Sequence, residues 1–238
     1  MNIAVCISGQ PRLDSSAIES LQDNLLSVEI CDVFLSISPT IRDAFNIRKE
    51  TYVDLNEIHR HLPYKSLTII PDWEIIEFLA ENPGENEVDM TNVLSYWYTS
   101  AFRKIYSSLK LKNEYSKLMN KSYDFVVRAR IDIVYRERIN FKSLSTEHIM
   151  IPKGFTLDNG GVPDHISIAT NKITNQAYEN IRYTDVERGT KYIGPEMKLN
   201  HSIDKAGVRI IRNEWSYSLA CPNGNHNDGK GKYIRTIE

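Results

Sequence analysis

The chain has no long apolar run. None of its segments approaches the roughly 20 consecutive apolar residues of a membrane span, so no transmembrane segment is expected. Cysteine is scarce: three residues, Cys6, Cys31 and Cys221, lie far apart. An odd, scattered set does not read as a disulfide framework. Cys6 and Cys31 lie in apolar, strand-like runs, where a free thiol behaves as a small hydrophobe. This usage points to a reducing, cytoplasmic compartment. No CxxC pair or histidine cluster has zinc spacing. Neither sign of charge dominates: the formal net charge is −2. That excludes a global pull toward nucleic acid or an anionic membrane, and leaves anion binding to local arginines. Met1-Asn-Ile-Ala-Val-Cys-Ile7 has no basic region ahead of its apolar stretch and reads as a strand rather than a signal peptide.

What is present is ordinary for a soluble globular protein. The 238 residues, 41% hydrophobic and 25% charged, suffice for one α/β domain with a proper core or two small ones. Internal repeats and a clear interdomain linker are absent. Strand and helix patterns alternate at first. Asn2–Ser8 is a continuous apolar strand that stops at Ser8-Gly9-Gln10-Pro11-Arg12. A helix follows, capped by Asp14 or Ser15, with Ile18, Leu21, Leu25 and Leu26 on its apolar face. Cys31–Ser38 is a second strand. Residues 40–65 are polar and read as a helical or loop insertion. Ser66–Ile70 is a third strand, closed by Pro71-Asp72, and Trp73–Leu79 a short helix. Residues 81–87 form an acidic loop. Met90–Leu118 is the longest helical region, with Val93, Leu94, Trp97, Ala101, Ile105 and Leu109 at helical spacing and an interruption near Lys110–Asn113. Its aromatic group, Tyr96, Trp97, Tyr98 and Phe102, reads as core rather than as a sugar platform. Later come strands at His148–Pro152, Ile166–Thr170 and Val208–Asn213, the last of these closing the fold. Helices are expected at Asn171–Tyr183 and from Pro195 to a stop at Gly207. The tail, residues 222–238, reads as loose. Together these give an α/β fold with a mostly parallel sheet flanked by helices.

The most informative stretch is Tyr123-Asp-Phe-Val-Val-Arg-Ala-Arg-Ile-Asp132. Phe125, Val126 and Val127 make a buried strand. Arg128, Arg130 and Asp132 would then share one face if the strand continued. Three ionised groups cannot share a face in a dry core at tolerable cost, so this end is expected to leave the core and open onto a polar site. Two guanidiniums beside a carboxylate suit a phosphate and a divalent ion. They suit a structural ion pair capping the strand equally well, and both readings stay open at this stage. The other polar strand endings are Ser8–Arg12, Ser36–Ser38 and Asp72. In a parallel sheet all four endings lie at one edge, where open α/β sheets bind ligands. There Gly9 admits close backbone approach and Arg12 offers a forked contact. Asp72 suits a nucleobase or ribose, or equally a helix cap. The first loop is neither a P-loop nor a GxGxxG fingerprint.

Three short blocks resemble a known family. Ser8-Gly-Gln-Pro-Arg12 is similar to the SGQxR opening of a set of glycosyltransferases from bacteria and large DNA viruses, of the WavE-like lipopolysaccharide-synthesis type. Tyr123–Asp132 is similar to their YDxVIRxRxD strand, and Gly161–Ala169 to a later strand. The resemblance implies a GT-A, nucleotide-diphospho-sugar transferase fold over a single domain. Its nucleotide-binding part would span about 1–135 and its acceptor part about 136–220. It implies a nucleotide-sugar donor, a glycan or lipid-linked sugar acceptor, and Mn²⁺ or Mg²⁺ held by an acidic DxD motif. Here Arg130-Ile-Asp132 stands in that place, with Asp132 as the surviving acid and expected metal ligand.

Glycosyl transfer needs a stabilised leaving diphosphate, an oriented nucleotide and, in an inverting enzyme, a proton acceptor. Arg128, Arg130 and Asp132 answer the first need. Ser8, Gly9, Gln10, Arg12, Ser36 and Asp72 answer the second. Asp164 is the first choice for the third, followed by Glu196 and His165. Glu196 stands in a helix first turn, which favours its charged form. A retaining enzyme would need no such base. The alternatives are a non-catalytic nucleotide-sugar or glycan-binding module of the same fold and, behind it, a metal phosphohydrolase, which would want more Asp or His ligands.

Overall fold

Ile3, Ala4, Val5, Cys6 and Ile7 are all fully buried, as a strand covered on both faces must be. They form β1 (Asn2–Gly9), from which the rest of the chain is laid out. The computed structural model describes residues 1–43, 46–81, 93–153, 162, 165–178, 181, 195–220, 225–227 and 233–235. The side chains of 41–43, 46–51, 72, 78–81, 93–98, 195, 198, 225–227 and 233–235 are also outside that description.

After β1 come α1 (Ser15–Leu21), a π-helical turn (Gln22–Leu26), β2 (Ile30–Ile37), β3 (Thr40–Asp43), β4 (Asn46–Tyr52), α2 (Leu55–His61), β5 (Ser66–Ile69) and α3 (Asp72–Glu81). Then follow α4 (Val93–Leu118), β6 (Phe125–Ala129), β7 (Ile133–Tyr135), β8 (Ile149–Pro152), β9 (Ile166–Thr170) and α5 (Asn171–Tyr178). The chain ends with α6 (Pro195–Lys205), β10 (Ile210–Asn213), β11 (Tyr217–Ala220), β12 (Asn225–Asn227) and β13 (Tyr233–Arg235). A seven-stranded sheet has the order β10-β8-β9-β6-β1-β2-β5. Strands β5, β2, β1 and β6 are parallel, β9 runs against both β6 and β8, and β10 is parallel to β8. The expected α/β class with a mostly parallel sheet is what the structure has.

Side-chain alternation along these strands divides the core in two. One face gathers Val5, Ile7, Leu35, Val127 and Ile168 under Ile18 and Leu21 of α1 and Ile58 of α2. The other gathers Cys6, Phe34, Val126 and Ala169 under Phe102, Ile105 and Leu109 of α4, Ala177 of α5 and Leu199 and Ile203 of α6. A smaller antiparallel sheet, β13-β12-β11-β7, joins the first face through Ile133, Tyr135 and Tyr217.

Four expectations need correction. Residues 40–65 carry the antiparallel pair β3–β4 before α2, since Thr40, Ile41, Ile47, Thr51 and Tyr52 are strand formers whose pattern the interspersed charges obscured. Helix α4 runs without interruption through Lys110–Asn113, because its straight-chain residues suit a helix and Lys112 finds partners inside the protein. Strand β10 is not the last. The tail, read as loose, supplies β12 and β13 by pairing onto β11, a ladder that local composition does not signal. Gly207 does end α6, at φ +68°, the left-handed stop that glycine takes without strain.

Lys112 is fully buried. Its ammonium donates to Asn171 Oδ1 and, at 3.0 Å, to Asn175 Oδ1. Burial lowers its pKa from 10.5 to about 8. Between those two values the unfolded chain holds a proton that the folded chain has released, so stability rises with pH across that window. Thermal unfolding as a function of pH should therefore show the wild type gaining on Lys112→Met from pH 8 to 10.5, by up to about 3 kcal/mol. Parallel curves would mean that the ammonium is not desolvated.

Candidate functional site

From β1 the chain moves outward through β2 to β5, and α4 then carries it back to β6 on the opposite side of β1. The sheet order thus reverses between β1 and β6. Loops leaving the carboxyl ends of two such strands diverge and leave a crevice, which is where open α/β sheets bind ligands. All four polar strand endings marked in the sequence fall on this edge, because β1, β2, β5 and β6 are parallel.

The β1 loop is shaped by backbone contacts. Gly9 has φ +126°, and its carbonyl accepts from Ser38 N (3.1 Å) just past β2. Arg12 N donates to Gln10 O (2.9 Å) and Asp14 N to Arg12 O (3.1 Å), before Asp14 Oδ1 caps α1 at Ala17 N (3.1 Å). Arg12 is therefore held within a short link between strand and cap. A Cβ at Gly9 would meet nothing within 4 Å, so a substitution there is opposed by backbone strain alone. Gly9→Ala should lower stability in chemical denaturation by about 1–3 kcal/mol; an unchanged midpoint would show that this turn relaxes freely.

Strand β6 leaves the sheet one residue after Arg128, so the three ionised side chains do not share a face. Arg128 stays in the core at 1% exposure, its Nε 3.3 Å from Ser167 Oγ and its guanidinium 5.9 Å from the centre of the Tyr178 ring. Ser167 Oγ in turn lies 2.7 Å from Tyr178 Oη. The next residues form a clamped turn: Arg130 N donates to His165 O, and Asp132 O accepts from Ala220 N, both at 2.9 Å. Within it Arg130 grips Asp132 with a two-pronged fork, Nε to Oδ1 at 2.9 Å and Nη2 to Oδ2 at 2.6 Å. Arg12 Nη1 approaches the same Oδ2 at 3.5 Å. Asp132 is 3% exposed, so one buried carboxylate collects two guanidiniums from two different strand ends. The ion pair weighed in the sequence is present, and it lies in the crevice.

Three buried oxygens have no hydrogen-bond partner among the described residues: Gln10 Oε1 after β1, Ser36 Oγ in β2, and Tyr135 Oη in β7. Burial pushes the Tyr135 phenol well above its ordinary pKa, and Arg128 offsets this only in part, so Tyr135 remains a hydroxyl donor at neutral pH. Buried polar atoms without partners are costly, and Gln10 Oε1 and Ser36 Oγ lie at the carboxyl ends of β1 and β2, where a polar ligand would relieve that cost. Ser8 is buried on β1 opposite Ser36. Asp72 begins α3 directly after β5, with its side chain outside the described residues.

Of the expected proton acceptors, Asp164 lies outside the described residues. His165 is 8% exposed, with Nδ1 2.9 Å from Tyr217 Oη, and its carbonyl anchors Arg130. Glu196 lies in the first turn of α6, its carbonyl accepting from Val162 N (2.9 Å). Sequence reasoning missed the polar inner side of α4. Ser100, Lys104 and Ser108 are buried at successive four-residue steps, with Lys104 Nζ bonded to Ser100 Oγ. Their i, i+4, i+8 spacing was visible, but a lysine on a buried stripe reads as solvent-facing until the partner is known. Tyr217 on β11, the partner of His165, carried no signal.

A divalent ion at Asp132 would meet two guanidiniums where it needs oxygen donors, since Arg130 already engages both carboxylate oxygens. Among the described residues no three His, Cys, Asp or Glu side chains group closely enough to hold an ion. This arrangement does not fit a resident cation on Asp132 alone. It fits an anion held by arginine forks. No protein-family model matches the chain, and no curated protein matches it. No helix among the described residues is long and apolar enough to cross a membrane.

Proposed function

We propose that this chain is a glycosyltransferase of GT-A type that holds a nucleotide-sugar across the carboxyl ends of β1 and β6 and transfers the sugar to a glycan or lipid-linked acceptor. The observation that carries this reading is the convergence of Arg12 and Arg130 on buried Asp132 at the point where the strand order reverses. Asp132 keeps two guanidiniums together without a ligand. A guanidinium carries its donors in a planar fork that matches phosphate oxygens, so two of them held at one strand-end crevice suit a diphosphate. In the transfer step the bond between the sugar's anomeric carbon and the phosphate oxygen breaks, and the acceptor oxygen bonds to that carbon. The departing diphosphate gains negative charge, which positioned guanidiniums stabilise. The acceptor's proton passes to a basic side chain; Asp164, His165 and Glu196 are the candidates.

A second reading, a binding module without turnover, is favoured by one observation: Arg130 neutralises the carboxylate that would otherwise act on a metal or an acceptor. Calorimetric titration with a panel of sugar nucleotides, with and without Mn²⁺, followed by an assay for released nucleoside diphosphate, separates the two. Binding with turnover supports the transferase, binding alone supports the module, and a folded protein that binds no nucleoside diphosphate overturns both.

A further inference from the structure

A groove of about 710 Å³ lies between α4 and α5. Helix α5 starts directly after β9, whose last residue, Thr170, pairs with Phe125 at the start of β6. This end of the groove is therefore at the amino edge of the parallel strands, across the sheet from the Arg12–Arg130–Asp132 crevice. Its lining is unusually rich in carboxamides: Asn113, Asn171, Asn175 and Gln176, with Tyr106 and Tyr178 adding aromatic surface.

Buried Lys112 determines how two of these amides point. An ammonium can only donate, so the Asn171 and Asn175 oxygens must face it. Their N–H₂ groups are then turned away from Lys112. Among the described residues nothing accepts from them, and nothing bonds the Asn113 side chain. Gln176 is anchored through Nε2 to Ala206 O (2.7 Å). The groove thus presents oriented donors beside aromatic surface, with a volume in the range of small-molecule sites. Its charge is nearly balanced: Lys110 is paired with Glu114 at 3.7 Å, leaving Lys117 on the rim. A ligand rich in neutral oxygen acceptors with apolar C–H faces suits this chemistry better than an anion does.

From this we infer that the α4–α5 groove is a second ligand site that binds a neutral saccharide through the amide donors of Asn171 and Asn175, held in orientation by Lys112. The site stands independently of what the crevice binds. Its test follows the side-chain amide NMR signals of the full chain during titration with glucose, galactose, N-acetylglucosamine and lactose, with inorganic phosphate as a separate arm. At least one sugar should shift the Asn171 and Asn175 signals saturably, in the wild type and in Arg130→Ala alike. Asn175→Asp keeps an oxygen on Lys112 but replaces donors with an acceptor, and should weaken that binding about tenfold, the scale of a lost hydrogen bond. Asn113→Ala, on the groove rim, gives a second reading should Asn175→Asp misfold. Absence of any saturable shift, unchanged affinity in both variants, or a response to phosphate alone overturns the proposal.

Discussion

Arg130→Ala is expected to weaken nucleoside diphosphate binding by about ten- to a hundredfold while leaving the protein folded. A hydrogen bond to a charged group contributes about 1.5–3 kcal/mol, which converts to that range of affinity. Arg12→Ala should act in the same direction. The two effects should not add, because both guanidiniums share Asp132 and neighbours in one network are coupled. Arg130→Lys retains the charge but loses the fork, and should fall between the wild type and alanine. Stability should drop by about 1–3 kcal/mol in Arg130→Ala. That is less than the 3–5 kcal/mol of a fully buried pair, since the Arg130 side chain is 27% exposed and Arg12 still faces Asp132. Asp132→Asn is the decisive companion. If the pair is only a structural strap, both variants lose stability and neither alters nucleotide affinity. If the guanidiniums hold the diphosphate, Asp132→Asn loses stability yet binds the nucleotide at least as tightly, because a competing carboxylate charge has gone. Equal nucleotide affinity in all these variants would move the site elsewhere.

The parts of this fold that were legible in the sequence are those where a local pattern and the tertiary arrangement agree. Ile3–Ile7 and Phe125–Val127 read as doubly covered strands because nothing polar interrupts them, and they form adjacent strands of the sheet. Asp14, Pro195 and Gly207 mark helix ends through backbone chemistry that needs no distant partner. The end of β6 at Ala129 agrees with the cost of lining three charges along one strand face, but the expected exit from the core does not hold, since Arg128 and Asp132 are both buried. What failed depended on partners far along the chain. Lys112 looks like a helix surface residue until Asn171 and Asn175 supply its acceptors. Buried Asp32 likewise takes Tyr123 Oη at 2.7 Å together with Lys121 and Lys65, a cluster assembled from three separated segments. Strands β12 and β13 exist because β11 offers an edge, and an edge strand is a property of the sheet, not of the added segment. The same asymmetry divides the site. Arg12, Arg130 and Asp132 could be named from motif and spacing, whereas Tyr217 beside His165 could not.

His165→Gln is expected to lower turnover about a hundredfold, the scale of a lost general base, with donor affinity unchanged. Two contacts single this residue out. Its carbonyl holds Arg130 N at 2.9 Å, which puts the residue against the turn that carries Arg130. Its ring is fixed through Nδ1 by Tyr217 Oη, with the two rings edge-to-face at 5.9 Å. A base must be held in one orientation to be effective, and a hydrogen bond to one ring nitrogen fixes that orientation. Tyr217→Phe keeps the packing and removes only that hydroxyl, so it should cost turnover less than His165→Gln, about tenfold, with donor affinity again unchanged. A structural role predicts something different: both variants would lose stability in step with activity, and donor binding would fall as the Arg130 turn loosened. Asp164→Asn completes the comparison, because a carboxylate next in sequence can take the same proton. A hundredfold loss at Asp164 with near-wild-type turnover in His165→Gln assigns the base to the carboxylate. Losses at neither position, with transfer intact, leave Glu196 or a retaining reaction that needs no base on the acceptor side.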